Sequence, residues 1–285
     1  MASLLPDVSF PLFRGGSTAA VTDRLRLRLL SLSGTTIDEG WSSADFTAPH
    51  WRIYLDLDDG VEATVRGRSV ALRAGHLYVI PAWLRWSGRC RGRVRHLNAS
   101  LDLPNLPQAQ VMAHFDRVLH LGGPTAELSA AWLRLGAELA RTTSPGAAQV
   151  ARGYALAYGA IAAALAQTPA ADGVISAPAG QRMAEVVARI EHDLGRPLPV
   201  AELARIAGCS RPELVRRFRS AMGTSPARWV RQRRVVVAAD LLRCTDEGID
   251  AIARRCGFSD RSRFSKIFRA SLGCGPAAWR RQARS

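Results

Sequence analysis

The last third of the chain carries the same pattern of residues twice, and this internal repeat constrains the fold more than any other feature. The stretch VAELARIAGCSRPELVRRFRSAMGTSPARW, beginning at Val200, aligns with IDAIARRCGFSDRSRFSKIFRASLGCGPAAW, beginning at Ile249. The offset is 49 residues up to Ser210 and Ser259, and one inserted residue makes it 50 afterwards. The matched glycine, proline and aromatic residues include Gly208/Gly257, Phe218/Phe268, Gly223/Gly273, Pro226/Pro276 and Trp229/Trp279. Such a repeat predicts two copies of one supersecondary unit.

Each copy predicts a helix-turn-helix unit. A small alanine lets two helices cross closely, a glycine four residues later turns the chain, and a serine or aspartate caps the second helix. The second helices are expected to bury apolar stripes formed by Leu214, Phe218 and Met222 in the first copy and by Phe264, Ile267 and Phe268 in the second. Ser225-Pro226 predicts the start of a long helix, about 226–243, that joins the two units.

Positive charge is concentrated in the same part of the chain. The 285 residues include 39 Lys or Arg and 24 Asp or Glu, which gives a formal net charge of +15. Residues 181–285 hold 22 of the basic and 10 of the acidic residues, so most of the excess lies there. A basic helix can enter the major groove of DNA, where arginine binds guanine, and its N-terminus can hold phosphates. Because the charge coincides with the repeated units, we interpret these helices as DNA-binding rather than as solvated surface.

Residues 181–285 resemble the DNA-binding domain of AraC/XylS-type bacterial transcription regulators. The second copy carries the resemblance most specifically, in RVVVAADLLRCTDEGIDAIARRCGFSDRSRFSKIFRASLGCGPAAWRR. Two positions depart from the family pattern, because Trp279 stands where tyrosine is usual and Lys266 where arginine is common. The resemblance implies two helix-turn-helix units that reach successive major grooves, roughly 34 Å apart.

The resemblance also implies, position by position, which side chains meet DNA. It places the base contacts at Pro212, Glu213 and Arg216 in the first unit and at Arg261, Ser262 and Lys266 in the second. The neighbouring Arg211, Arg217 and Arg263 complete the candidate set. Lys266 is expected to act as a point charge, without the planar donor geometry of arginine.

The N-terminal half predicts strands. WRIYLDL, beginning at Trp51, alternates apolar and polar residues as a half-buried strand does, and Asp59-Gly60 marks a hairpin. Further short alternating stretches follow to about residue 101. Strands of this length and spacing are typical of a small antiparallel barrel or sandwich.

Helices are expected after these strands, so the chain as a whole predicts an α+β protein of two domains. Apolar residues at three- and four-residue spacing predict helices at about 124–167. Residues 168–180 mix Pro, Gly, Ala and Ser and predict a linker between a domain at 1–167 and a domain at 181–285. The Ala-rich helix near 146–167 is a candidate for dimerisation, or it packs on its own domain.

The stretch GHLYVIPAWLRW resembles, more weakly, a motif of the cupin-like sensing domain of the same family, with Gly75 and Pro81 at its spacing. This resemblance raises a metal-dependent cupin enzyme as an alternative. The metal-binding histidine of the motif falls near Trp86, however, and no His-x-His pair occurs in the chain. A catalytic metal site needs three or four convergent ligands. We therefore expect no metal, no cofactor and no enzymatic activity.

The strand-rich domain is expected to hold a small-molecule effector in an apolar interior with a few polar groups. The candidate effector-binding residues are Arg14, Tyr54, Tyr78, Trp86, His96 and Asn98. Arg14 is included by family analogy alone, as part of an N-terminal arm. The alternative is that the others are ordinary core aromatics and outward-facing polar residues.

The remaining features concern location and partners. Five scattered cysteines without a CxxC pair predict reduced thiols, and no apolar run approaches the roughly 18 residues of a membrane span. No signal peptide is evident, so we expect a cytoplasmic, nucleoid-associated bacterial protein.

The leading hypothesis is a sequence-specific transcription regulator that forms a homodimer. Its expected partners are double-stranded promoter DNA, a small-molecule effector and RNA polymerase, with no membrane partner. The alternative is a non-specific architectural DNA binder whose helices touch mainly phosphates.

Overall fold

The computed structural model describes residues 25–168 and 181–284, apart from 105, 107, 143 and 144. Strands dominate the first part of this range. They are β1 (Arg28–Ile37), β2 (Ser42–Thr47), β3 (Trp51–Asp56), β4 (Val61–Val65), β5 (Arg68–Leu72), β6 (Leu77–Ile80), β7 (Arg85–Cys90), β8 (Val94–Asp102) and β9 (Leu119–Gly122). Helix α1 (Gln108–His114) lies between β8 and β9, and helices α2 (Glu127–Leu139) and α3 (Ala147–Ala166) follow.

The strands form two antiparallel sheets. The order is β1-β8-β3-β6-β9 in the five-stranded sheet and β2-β7-β4-β5 in the four-stranded sheet. The β-rich N-terminal half is confirmed, and β1, β2 and β9 lie outside the predicted range of strands. Of the two predicted arrangements, barrel and sandwich, the described residues form the sandwich, because each sheet ends in two edge strands and no hydrogen-bonded ladder joins the sheets.

Strand β3 is buried on both faces, although its alternating sequence predicts half-burial. Trp51 packs edge-on against Phe115, which follows α1, with ring centroids 4.9 Å apart. On the opposite face Tyr54 packs against Trp86 of the other sheet, with centroids 6.1 Å apart. β3 is the middle strand of its sheet, so helices cover one face and the second sheet covers the other. The face that looked solvent-exposed in sequence is therefore the interior of the sandwich.

Helices α2 and α3 pack on the outer face of the five-stranded sheet, which is the face turned away from the four-stranded sheet. Gly136 of α2 lies so close to β8 that a Cβ there would be 2.9 Å from Leu97 Cδ2. Gly153 of α3 lies against β1, where a Cβ would be 3.5 Å from Leu32 Cδ2. The Ala-rich helix thus packs on its own half of the chain, and its part in dimerisation stays a prediction. No helix in the described residues is long and apolar enough to cross a membrane.

The rest of the described chain is helical. It comprises α4 (Gln181–His192), α5 (Val200–Ile206), α6 (Arg211–Met222), α7 (Pro226–Cys244), α8 (Ile249–Arg255), α9 (Arg261–Leu272) and α10 (Pro276–Arg284). The long connecting helix α7 begins at Pro226 as predicted, and its 19 residues correspond to a length of about 28 Å. All of the predicted linker except Thr168 lies outside the described residues, so the domain boundaries stay a prediction.

The two helical units differ in how they join the rest of the molecule. The first unit forms an apolar core with α4, in which Leu214 and Phe218 are fully buried. The core of the second unit is continuous with that of the N-terminal half. The junction is a stacked pair of rings, Phe46 of β2 and Trp279 of α10, with centroids 4.8 Å apart and planes inclined by 13°.

Candidate nucleic-acid interface

The first helix-turn-helix unit consists of α5 and α6. Gly208 turns the chain at a φ of +62°, a left-handed conformation that favours glycine. The hydroxyl of Ser210 accepts a hydrogen bond from the backbone N–H of Glu213 at 3.4 Å and caps α6. Phe218 packs edge-on against Trp229 of α7, with centroids 6.1 Å apart. The predicted stripe is buried, namely Leu214, Phe218 and Met222.

The second unit, α8 and α9, repeats this geometry. Gly257 turns the chain at a φ of +77°. The carboxylate of Asp260 accepts a hydrogen bond from the backbone N–H of Arg263 at 2.7 Å and caps α9. Phe268 packs edge-on against Trp279, with centroids 6.0 Å apart. The internal repeat of the sequence is therefore a repeat of the structure, down to the cap and the aromatic contact.

The buried stripe of α9 differs from the prediction at one residue. Phe264, Phe268 and Leu272 are buried at a spacing of four, whereas Ile267 is half-buried. Ile267 precedes Phe268 by one residue, which is about 100° around the helix. It therefore lies at the margin of the stripe, where it covers the core only in part.

The predicted DNA-contacting side chains lie at corresponding places on α6 and α9. All occupy the first two turns of these helices, and all are exposed except Glu213, which is half-buried. They are Arg211, Pro212, Glu213, Arg216 and Arg217 on α6 and Arg261, Ser262, Arg263 and Lys266 on α9. The fold thus presents two basic helix N-termini to solvent, and their contacts with DNA stay a prediction.

Glu213 organises the charge on α6. Its carboxylate accepts hydrogen bonds from Arg216 Nε and Nη2, at 2.9 and 2.6 Å, and from Arg217 Nε at 2.5 Å. These hydrogen bonds lower the pKa of Glu213 to about 2, so the group is ionised at neutral pH. Arg216 is consequently held in one orientation by its own helix before it meets a ligand.

Charge is arranged differently on α9. Arg261 Nη1 donates a hydrogen bond to Asp250 of α8 at 3.2 Å. The hydrogen bond from the backbone of Arg263 lowers the pKa of Asp260, which keeps this cap charged at the helix N-terminus. Within the described residues, the side chains of Arg263 and Lys266 have no ion-pair partner. The second helix therefore offers two cations whose orientation is not fixed by a neighbouring carboxylate.

Arg234 of α7 fixes the turn of the second unit. Its guanidinium donates hydrogen bonds to the carbonyl oxygens of Leu194 at 2.8 Å, Gly257 at 2.6 Å and Arg196 at 2.7 Å. One side chain thus joins α7 to the end of α4 and to the turn between α8 and α9. Arg234 is among the family's motif residues in the sequence, but the three carbonyl groups that it binds follow from the fold.

Arg233, the preceding residue of α7, joins the two halves of the chain. It is 5% exposed and donates two hydrogen bonds to Asp102 of β8, at 3.0 and 2.5 Å, and two to Glu191 of α4, at 2.6 and 3.0 Å. Burial by itself lowers the pKa of Arg233, but the two carboxylates more than offset it and raise the pKa. Sequence reasoning missed this residue, although its position four residues after Trp229, on the apolar side of α7, was a usable signal.

Three of the effector candidates meet inside the sandwich. The rings of Tyr54 and His96 are 4.5 Å apart, and those of Tyr54 and Trp86 are 6.1 Å apart. His96 Nδ1 also lies 2.6 Å from a carboxylate oxygen of Asp56, and all of these side chains are buried. They therefore form a packed polar-aromatic core, which is the alternative that the sequence left open, and their contact with an effector stays a prediction.

The other effector candidates lie apart from this cluster. The buried Tyr78 hydroxyl accepts a hydrogen bond from the backbone N–H of Arg73 at 3.2 Å and donates one to the Ala71 carbonyl at 3.3 Å. Asn98 is half-buried and accepts a hydrogen bond from the hydroxyl of Ser33 at 3.3 Å. Arg14 lies outside the described residues. The six candidates thus do not form one described site.

Metal-ligand chemistry has little support in the described part of the chain. His76 Nδ1 and His120 Nε2 are 2.9 Å apart, so the two rings are hydrogen-bonded to each other. Among the described residues, no group of three or more His, Cys, Asp or Glu side chains could hold a metal ion.

Comparison with known proteins shows which proteins the helical part is similar to. Residues 203–282 match the family described as a helix-turn-helix domain. The HTH-type transcriptional regulator GbdR of Pseudomonas aeruginosa is 35% identical over 85 residues, which are 30% of this chain and 23% of that protein. The HTH-type transcriptional activator RhaS of an Enterobacter species is 31% identical over 86 residues, 30% of this chain and 31% of that protein. The matches thus cover less than a third of these relatives.

Solved structures extend the similarity of fold to most of the chain. ToxT from Vibrio cholerae superposes with a TM-score of 0.54 and 10% sequence identity, over 88% of this chain and 98% of that chain. A structure of ToxT with a bound unsaturated fatty acid gives a TM-score of 0.51 and 12% identity, over 88% and 94% of the two chains. At this level of identity the similarity concerns the fold alone.

Proposed function

We propose that this chain is a bacterial transcription regulator of the AraC type that binds specific DNA sequences. The match of residues 203–282 to a helix-turn-helix domain and the similarity to HTH-type transcriptional regulators support the proposal. The observation that carries the proposal is the structural repeat of α5–α6 and α8–α9. Both units have a side-chain N-cap, serine in one and aspartate in the other, together with the same Phe–Trp contact and an exposed basic first turn. Paired units of this kind fit two neighbouring major grooves on one face of a duplex.

Each recognition helix divides its side chains between bases and phosphates. Glu213 binds Arg216 through Nε and Nη2 and leaves Nη1 unoccupied by that carboxylate, so the planar guanidinium is available for a bidentate contact with guanine. Lys266 on the second helix supplies a flexible point charge instead. Arg211, Arg217 and Arg263 flank these residues and are placed to hold phosphates, which positions the helices without reading sequence.

The competing proposal is an architectural protein that binds any duplex through phosphates. Selection from a pool of random duplexes separates the two. A specific regulator enriches two half-sites whose centres are about 10 base pairs apart, because the two units reach successive turns of the duplex. Recovery of unenriched sequences, together with even protection of arbitrary DNA in footprinting, would establish the architectural alternative.

We propose that the N-terminal half serves regulation rather than catalysis. Its two-sheet fold is shared with ToxT, which has been solved with a bound unsaturated fatty acid, and this supports a small-molecule effector here. We also propose that the protein works in the cytoplasm as a homodimer at promoter DNA, in contact with RNA polymerase. Sedimentation of the chain with and without its operator tests the dimer, since a monomer on DNA would contradict it.

A further inference from the structure

A groove lies between α2 and the five-stranded sheet. Its volume is about 660 Å³, and strands β1 and β8 form the wall opposite the helix. Pockets that hold small molecules usually measure about 300 to 1,000 Å³, so the size is suitable for one. Of the effector candidates, His96 is among the residues that line the groove, whereas Tyr54 and Trp86 are not.

Small residues create this space. Gly34 of β1 and Gly136 of α2 face the side chain of Leu97, which forms the floor of the groove between them. A Cβ on Gly136 would lie 2.9 Å from Leu97, and one on Gly34 would lie 4.0 Å from it. Ala137 and Ala140 continue the small surface along the exposed side of the helix. Larger side chains at these positions would fill the groove.

The groove leaves apolar surface open to water. Leu57 on its rim is 39% exposed, and Leu133 and Leu139 on its helical wall are only half-buried. Exposing a contiguous apolar surface to water is unfavourable, and such surfaces on soluble proteins commonly mark ligand-binding or interaction sites. The open state of the groove therefore favours an apolar occupant.

The charge in the groove is already neutralised. Arg95 donates hydrogen bonds to Asp58 from Nε at 2.9 Å, from Nη2 at 2.8 Å and from its backbone N–H at 3.0 Å. The hydrogen bonds from Arg95 lower the pKa of Asp58 to about 2, so the pair remains an ion pair at neutral pH. Among the described lining residues, the other polar side chains are His96, which is paired with Asp56, and hydroxyls such as that of Thr36.

We propose that this groove binds an uncharged, largely apolar small molecule, with the hydroxyl of Thr36 available to a single polar group. That this molecule is the effector rests on the regulatory function proposed above. The site lies under α2 and on the outside of the sheet, whereas the sequence led us to expect one in the interior.

Fluorescence titration with N-phenyl-1-naphthylamine, an uncharged apolar dye, tests the site on the full chain. We expect saturable binding, competed by other uncharged apolar molecules. Ala140→Trp and Thr36→Trp each place a large ring in the groove from opposite walls, and both positions are exposed, so the fold is unaffected. Each variant is expected to weaken dye binding at least tenfold.

Ala151→Trp on α3 is the matched control, because Ala151 is an exposed helical alanine that does not line the groove. Its dye affinity should stay within twofold of that of the parent chain. The site is disproved if the parent shows no saturable binding, if both groove variants bind as tightly as the parent, or if the control loses as much affinity as they do. The titration contains no DNA, so its failure would leave the DNA-binding proposal standing.

Discussion

At the scale of single residues, the two recognition helices handle their cations in different ways. Glu213 holds both Arg216 and Arg217 on α6, whereas α9 pairs only Arg261, through Asp250 of the preceding helix. A fixed guanidinium loses less side-chain entropy on binding than a free one, so it suits a directional base contact. The first unit is therefore expected to contribute more to sequence discrimination than the second.

Replacing Arg216 by alanine tests this expectation. Loss of a bidentate base contact should weaken binding to the selected operator by about ten- to a hundredfold, while binding to random DNA falls much less. Fluorescence anisotropy with both duplexes at one salt concentration measures the difference. Arg134→Ala is the control, because Arg134 is an exposed arginine of α2 and its loss removes the same charge. Equal weakening on both duplexes would assign Arg216 to a phosphate.

Replacing Glu213 by glutamine should strengthen binding to random DNA, whereas Arg216→Ala should weaken it slightly. The change removes a negative charge from the DNA-facing helix, so affinity for random DNA is expected to rise several-fold. Arg216 loses its fixed orientation at the same time, so the ratio of specific to random affinity should fall. The same anisotropy assay gives both values. An unchanged ratio would show that the ion pair has no role in discrimination.

At the scale of elements, the glycine in the turn of the second unit and the glycine after its second helix differ in how much room they leave for a side chain. Gly257 and Gly273 both have positive φ, +77° and +82°. A Cβ on Gly257 would lie 2.6 Å from the Leu194 carbonyl, which is one of the oxygens that Arg234 binds. Gly273, after the end of α9, has no atom within 4 Å of such a Cβ. Gly257 is thus required both by its left-handed backbone and by the close approach of Leu194, whereas Gly273 is required by its left-handed backbone alone.

The two alanine variants should therefore differ in stability. Gly273→Ala should cost about 1 kcal/mol, which is the cost of a left-handed conformation for alanine. Gly257→Ala should cost about 3 kcal/mol, because it also displaces the Leu194 carbonyl from Arg234. Urea denaturation of the full chain measures both free energies of unfolding. Equal losses would mean that the contact with Leu194 relaxes without cost.

At the scale of the whole molecule, a buried ion pair and a ring stack are among the contacts that hold the C-terminal helices against the N-terminal half. Arg233 of α7 binds Asp102 of β8, and Trp279 of α10 stacks on Phe46 of β2. Trp279 also donates a hydrogen bond from Nε1 to the Ala239 carbonyl at 3.1 Å. The indole ring of Trp279 therefore contacts both α7 and the sandwich. This double contact is a structural role for tryptophan at a position where the resemblance leads one to expect tyrosine.

Asp102→Asn tests the buried ion pair between Arg233 and Asp102. The substitution leaves the buried guanidinium of Arg233 with Glu191 as its remaining carboxylate, so we expect a loss of about 2 to 4 kcal/mol in the free energy of unfolding. Asp58→Asn is the matched control, because it removes one carboxylate from an exposed arginine pair and should change stability little. Thermal and urea denaturation measure both. If the two variants are equally stable, the Arg233 pair does not hold the halves together.

Several elements could be predicted because their signals are local. The caps at Ser210 and Asp260 and the turns at Gly208 and Gly257 depend on residues within a few positions of each other, and all four are confirmed. Strand β3 was placed well but its burial was not, because a strand's own alternation does not show what covers each face. The choice between a barrel and a sandwich stayed open for the same reason, since closure of a barrel depends on edge strands that are far apart in sequence.

What the sequence determined by itself was the helix-turn-helix repeat, because periodicity, capping and glycine turns are encoded within each copy. The tertiary structure alone decided which arginines lie exposed on the surface and which are bound inside the fold. Arg233 and Arg234 are neighbours in sequence, yet one is buried between two carboxylates and the other binds three carbonyl groups. The chain carries so many arginines that no local pattern separates these from Arg216. Electrostatic partners come together only when distant segments pack, and burial then sets the strength of each pair.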